Sequence, residues 1–260
     1  RHPADTAACI AALDELSEGR AILGLGAGSM LEPLGIDAEK PVVAVRETAE
    51  LTWRLLANER EPFSGELFRA SAEATFRWRP PRPRVVTFVG AYGPRMVAEA
   101  PKWADELRPP GVWAPEFFVE VQRKALKAAE EAGRHDFRVG CDVWISVGDD
   151  REEARALGRR ILAQFLPLSV FAPQVVFFEI DPTEVSAVRE DMARADIAAA
   201  ASNISDRTLD TFVACGSVRD IVAGLERLLD AGPATVTFSG RLGPDVERAI
   251  TLLGREVLPA

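Results

Sequence analysis

Histidine is nearly absent from this 260-residue chain: there are two, His2 and His135, and neither has an evident catalytic partner. The three cysteines, Cys9, Cys141 and Cys215, are widely separated. Zinc centres and Ser-His-Asp or Cys-His-Asn constellations are therefore not expected. The odd cysteine count also argues against a disulfide framework; set in apolar segments, the cysteines predict reduced core thiols in a cytoplasmic protein. No apolar run approaches the roughly 18 residues that would span a bilayer. Positive charge is in deficit: 31 Lys and Arg face 40 Asp and Glu, a net charge of −9. That balance argues against nucleic acid and anionic membrane as partners and leaves small molecules. What the chain has in quantity is apolar residue, 47% of the total, enough for one large domain or two small ones.

Periodicity and punctuation give the order of elements. Thr6 to Leu16 predicts a helix with Ala8, Ile10, Ala11, Leu13 and Leu16 on its apolar side, closed by Gly19. The uninterrupted run Ala21–Gly26 predicts a strand buried on both faces. A helix is expected from about Val45 to Ala57. Phe63-Ser64-Gly65-Glu66 predicts a hairpin turn, and the prolines of Arg79-Pro80-Pro81-Arg82-Pro83-Arg84 precede a strand at Val85–Val89. Trp103–Leu107 is a weak strand, Pro115–Ala132 a helix, Phe137–Val147 a strand, and Asp149-Asp150 open a helix to about Phe165. Residues 167–211 read as an insert, apolar at first and then helical. Ser217 and Asp220 have capping-box spacing for a helix to about Asp230. Ala234–Ser239 is the last strand, and Gly243-Pro244-Asp245 starts the last helix. Short apolar strands alternating with helices define an α/β fold with a parallel sheet, here with five strands expected.

The segment Val89-Gly90-Ala91-Tyr92-Gly93-Pro94-Arg95 carries the chemistry. A strand runs through a two-glycine turn into a helix that starts on proline, with Arg95 nearby and no acid before Glu99. Backbone N–H groups in such a turn suit a cofactor phosphate; an ordinary strand–helix loop is the equal alternative. Gly24-Leu25-Gly26-Ala27-Gly28 is not a dinucleotide fingerprint, because position 29 is Ser and no helix follows directly. Gly26, Ala27, Gly28 and Ser29 then form either a strand rim with room for a flat ring or a site of close backbone packing. Gly243-Pro244 is a poorer anion site, since Asp245 and Glu247 follow it. Gly240 and Arg241 lie at the last strand's end. Arg241 could meet an acidic ligand group, with a solvated arginine as the first reading. Tyr92, the single tyrosine, serves a ligand or packing, with packing the first reading. Trp113 is the tryptophan expected to face a pocket. Glu130-Glu131 and Glu152-Glu153 read as solvated helix faces. No catalytic acid or base stands out.

In order, these segments resemble the bacterial luciferase-like superfamily of flavin and deazaflavin oxidoreductases, and within it the coenzyme F420-dependent enzymes similar to methylenetetrahydromethanopterin reductase. The resemblance is carried by Arg1-His2-Pro3 with Leu13-Asp14-Glu15-Leu16-Ser17 and Gly19-Arg20, by Leu23–Gly28 with Leu34-Gly35-Ile36, by Val89–Met96, and by Leu242–Asp245 with Gly254–Pro259. It implies a TIM (β/α)8 barrel over residues 1–260, with the helical insert at about 167–211. It also implies a hydride passed between F420 and a small organic substrate, with an FMN-dependent luciferase-like monooxygenase as the alternative. Gly90, Ala91, Tyr92 and Gly93 would hold the cofactor phosphate, while Gly26, Ala27, Gly28 and Ser29 would lie near its ring. A homodimer is expected. Relatives begin with about three more strand–helix units, so strands 4 to 8 and an N-terminally incomplete barrel are expected here, with a degenerate, non-catalytic fragment as the remaining alternative. Ser29 stands where several relatives have an acid, so the acid–base chemistry is expected to differ.

Overall fold

The computed structural model describes residues 2–28, 31, 35 and 40–258. Ser29, with Arg1, Leu34, Ile36 and Pro259, lies outside the described residues. The chain divides into two compact units, Arg1–Leu107 with Lys127–Arg138, and Arg108–Leu126 with Val139–Ala260.

The first unit opens with α1 (Pro3–Leu16), started by Pro3 at its first position and by His2, whose Nδ1 accepts the Ala4 N–H at 3.1 Å. Its inward side is Ala7, Ile10, Ala11 and Asp14, whereas Ala8 is exposed and Leu13 and Leu16 are 52% and 83% exposed. The stripe expected from hydrophobicity is thus rotated. The cause is Asp14, fully buried because Arg82 grips both carboxylate oxygens at 2.6 and 2.9 Å and the Ala21 N–H donates to it. The Arg82 hydrogen bond holds the Asp14 carboxyl below its ordinary range, against the effect of burial. Cys9, expected in a core, lies on the exposed side of the same helix.

After α1 come β1 (Ile22–Leu25), α2 (Pro41–Leu56), the antiparallel hairpin β2 (Phe63–Ser64) and β3 (Arg69–Ala70), and β4 (Val86–Val89). Then follow α3 (Pro94–Glu99), a 3-10 turn at Ala100–Lys102, and β5 (Glu106–Leu107). β1, β4 and β5 pair in parallel in that order. One sheet face, with Leu23 and the preceding Val85, packs on Ile10, Ala11 and Leu56 of α1 and α2. β1 is not buried on both faces as expected: it is an edge strand of this sheet, and Ile22 is 48% exposed. The irregular stretch from 58 to 84 is pinned by side chains of α2. Arg54 donates to the carbonyls of Glu61, Ser71 and Ala74. Glu47, 2% exposed, accepts the N–H groups of Glu66, Leu67 and Phe68 at 2.6, 2.9 and 3.0 Å.

The second unit contains most of α4 (Pro115–Glu131). The chain continues through β6 (Arg138–Val139), whose Arg138 N–H bonds back to the Asp105 carbonyl inside the first unit. β7 (Cys141–Val147) and α5 (Arg151–Phe165) follow, so the expected strand from Phe137 is interrupted at Gly140. Next come a 3-10 turn at Ser169–Phe171, α6 (Ala172–Phe177), α7 (Pro182–Ala193), α8 (Ile197–Ser202) and α9 (Asp206–Phe212). The chain ends with β8 (Val213–Gly216), α10 (Val218–Asp230), β9 (Val236–Leu242), α11 (Val246–Leu252) and a π turn at Leu253–Val257. β8, β7 and β9 form a second parallel sheet in that order. β8 was not expected; its four residues run straight on from α9 and leave no turn signal. The last helix starts at Val246 with Asp245 capping the Arg248 N–H, so Pro244 stands outside it. Gly240 and Arg241 lie at the end of β9, which runs on to Leu242, where the register with β7 shifts. Trp144 stacks on Phe165 and Phe171 at 4.4 and 5.4 Å and forms the aromatic centre of this core.

Burial opposes ionisation of Glu47, but its three N–H donors and Arg46 outweigh it and hold the carboxyl below its ordinary value. Its stabilising contribution is therefore present above the unfolded-state pKa and is lost as pH falls through the lower folded value. Glu47→Gln is expected to lose about 1–3 kcal/mol at pH 7, with the gap to wild type narrowing as pH falls below the ordinary carboxyl value of 4.5, as followed by urea denaturation. An unchanged gap at pH 3 would contradict this account.

Candidate active site at the strand ends

Two glycine segments meet in the first unit. The β1–β4 register sets Ile22 beside Val86 and Leu25 beside Val89, so both strands end at the same level. The ladder continues one step further, with the Gly90 N–H donating to the Leu25 carbonyl at 2.8 Å. Gly26 and Gly90 thus lie side by side, and a Cβ on Gly26 would stand 3.5 Å from the Gly90 carbonyl oxygen. Gly26, Ala27 and Gly28 are exposed, and Gly28 has φ +88°, a conformation that favours glycine. Gly90, Ala91 and Gly93 are half-buried, and no atom lies within 4 Å of where a Gly93 side chain would begin. Pro94 is the first residue of α3, which has no acid in its first turn, and Arg95 is exposed. At six residues α3 is short and adds little dipole, which leaves the loop N–H groups and Arg95 as the anion-attracting features. Tyr92 is 8% exposed, as its packing role predicts.

Just below this rim lies a layer that the sequence did not disclose. Register partners in a parallel pair share a face, so Gly24, Phe88 and Glu106 stand in one row across β1, β4 and β5. The Phe88 ring covers Gly24, its Cζ 2.5 Å from where a Cβ would be. Glu106 is fully buried, with the Arg138 guanidinium 3.7 Å from its carboxylate. Its position inside a two-residue strand hid it; the only signal was one acid within the weak apolar run Trp103–Leu107.

The opposite face of the same strands fixes the row in place. The Thr87 N–H donates to Asp105 at 2.8 Å, and its hydroxyl accepts the Trp53 indole N–H at 3.1 Å. Arg84 lies 4.4 Å over the Trp53 ring and reaches Asp105 at 3.0 Å.

In the second unit, the strand ends offer a different chemistry. Gly216 leads into Ser217, which forms a full capping box with Asp220 at the start of α10. Asp150 caps α5, and Asp245 caps α11. Acids thus occupy all three helix starts and oppose an anion there. Trp113, expected at a pocket, instead has its ring packed directly on Gly224 of α10. Cys215 is buried and its thiol is pushed up to about 12 by desolvation, which makes it unreactive. Arg155, which lies near it, pairs with Asp206 and Asp210 at 2.6 and 2.5 Å. Among the described residues no group of His, Cys, Asp and Glu could hold a metal ion, and no single helix is long and apolar enough to cross a membrane.

The profile of the luciferase-like monooxygenase family matches residues 1–235, and the chain belongs to that family. It is 31% identical over 268 residues to the 5,10-methylenetetrahydromethanopterin reductase of Archaeoglobus fulgidus, a match covering 99% of this chain and 78% of that one. It is 26% identical to the F420-dependent glucose-6-phosphate dehydrogenase of Nakamurella multipartita over 99% of this chain and 73% of that one. The structure of the coenzyme F420-dependent tetrahydromethanopterin reductase of Methanopyrus kandleri superposes with a TM-score of 0.88 and 26% identity, covering 100% of this chain and 79% of that one. The fold is accordingly of the luciferase-like TIM-barrel class, as the sequence motifs implied.

The Gly24–Phe88 contact makes a direct expectation. Gly24→Ala forces a methyl group into the ring and should cost about 1–3 kcal/mol in denaturant unfolding. In the Gly24→Ala, Phe88→Ala double variant the added penalty of the methyl should vanish, and simple additivity of the two losses would refute the contact.

Proposed function

We propose that this chain is an oxidoreductase that transfers a hydride between coenzyme F420 and a small organic substrate, in the manner of a methylenetetrahydromethanopterin reductase. The observation that carries the reading is the meeting of Gly26–Gly28 with Gly90–Gly93 at the C-terminal ends of a parallel strand pair, through the 2.8 Å bond from Gly90 to Leu25. Membership of the luciferase-like family and likeness to F420-dependent reductases support it.

The donor set fits the phosphate of such a cofactor. Ala91 and Gly93 present backbone with little side chain in the way, Arg95 adds a cation, and the first acid along the helix is Glu99. In this reading Gly90, Ala91, Tyr92 and Gly93 hold the phosphate through main-chain N–H groups. Gly26, Ala27 and Gly28 border the ring and leave it room. When bound, the deazaflavin supplies the hydride donor or acceptor. The protein's part is to orient it and to exclude water, with Phe88 over Gly24 closing the sheet face beneath the rim. A homodimer and a cytoplasmic setting belong to the same proposal.

F420 binding measured by fluorescence quenching tests it. Gly93→Asp puts a carboxylate into the phosphate loop and should weaken binding at least about tenfold, which is about 1.4 kcal/mol, with an unchanged circular dichroism spectrum. A protein that quenches no F420 fluorescence but consumes oxygen with FMN and an added reductase would replace this reading with a flavin monooxygenase. One that does neither would remove both.

A further inference from the structure

Arg95 is the second residue of α3, two positions past Gly93, and its side chain is exposed. It forms no hydrogen bond or ion pair with any described residue. Glu99 stands one helical turn further on, at a spacing that allows a pair with Arg95. The Glu99 carboxylate is taken by other cations instead: Arg46 of α2 reaches it at 3.5 Å and Lys102 at 2.7 Å. Arg46 also lies 3.7 Å from Glu50. Three cations, Arg46, Arg95 and Lys102, thus accompany two acids, and Arg95 is the one left over, in a chain of net charge −9. Positions 95, 99 and 102 follow helical spacing through α3 and the 3-10 turn, so Arg95 and Lys102 belong to one strip that starts where the glycine loop ends.

A phosphate held by main-chain N–H groups of the loop leaves this strip unused. A ligand whose phosphate carries a further acidic chain would use it, because each carboxylate beyond the phosphate finds a side-chain cation rather than an acid. Coenzyme F420 has that chemistry: its phosphate is joined through lactate to glutamyl residues, whereas FMN ends at the phosphate. We propose that Arg95, with Lys102 and Arg46 further along the strip, recognises the glutamyl carboxylates of F420 and so favours F420 over FMN. The inference rests on the F420 reading above and assigns the part of the cofactor which that reading left without a partner.

Fluorescence quenching with two forms of F420, one without glutamate and one with several glutamates, tests it. Wild type should bind the glutamyl form about threefold tighter at low salt, the scale of an exposed ion pair, and added salt should erase the difference. Arg95→Gln, a change at an exposed position, should weaken the glutamyl form about threefold and the glutamate-free form much less. Equal weakening of both forms would assign Arg95 to the phosphate alone and overturn the proposal. A wild-type affinity indifferent to the glutamates, or an Arg95→Gln variant that binds both forms as wild type does, overturns it as well. Each of these results leaves the F420 reading standing. A wild-type protein that quenches neither form overturns both.

Discussion

The pairing of β1 with β4 is the constraint on which the proposed site depends. Residues 22–25 and 86–89 are far apart in the chain, and only their parallel register puts two glycine turns at one level. The Gly90–Leu25 hydrogen bond extends that register past the last ladder pair. A slip of one residue would turn every side chain to the other sheet face. It would carry Phe88 away from Gly24 and bring Leu23 out of the cluster it shares with Ile10 and Leu56. The helices, through that cluster, and the site, through its floor, therefore enforce the same register.

Buried charge does most of the remaining positioning in the first unit. Asp14, Glu47 and Arg54 are all inside, and each is satisfied by groups far away in sequence. Losing one partner of such a set leaves an unpaired ion out of water, which costs more than the set contributes when whole. These residues act as ties between regular helices and the irregular chain from 58 to 84, which has only a hairpin of two two-residue strands of its own. Arg82 and Arg84 peg the proline-rich segment at two points, on Asp14 and on Asp105, and so deliver β4 to the sheet at a fixed height.

The second unit is built differently. The starts of α5, α10 and α11 carry their own side-chain caps, Trp144 stacks on aromatic rings in its core, and Arg155 pairs with two aspartates near Cys215. The same physics that makes Asp150, Asp220 and Asp245 good caps makes these turns poor anion sites. The contrast with the acid-free start of α3 is what singles out one strand end among several.

Much of this was legible in the residues. Asp150, Ser217 with Asp220, the hairpin at Phe63-Ser64, the strand at Val86–Val89 and the proline start of α3 follow from interactions within a few positions, and local sequence decides those. The family motifs, read in order, gave the fold class. The tertiary structure alone decided which side of α1 is inside, because Arg82 lies 68 residues from Asp14. It also decided that Val213–Gly216 is a strand, that Trp113 rests on Gly224, and that Glu106 is buried in a row with Phe88 and Gly24. Each of these is set by a partner brought in through sheet register or helix packing, and a short segment carries no trace of a neighbour that only the fold supplies.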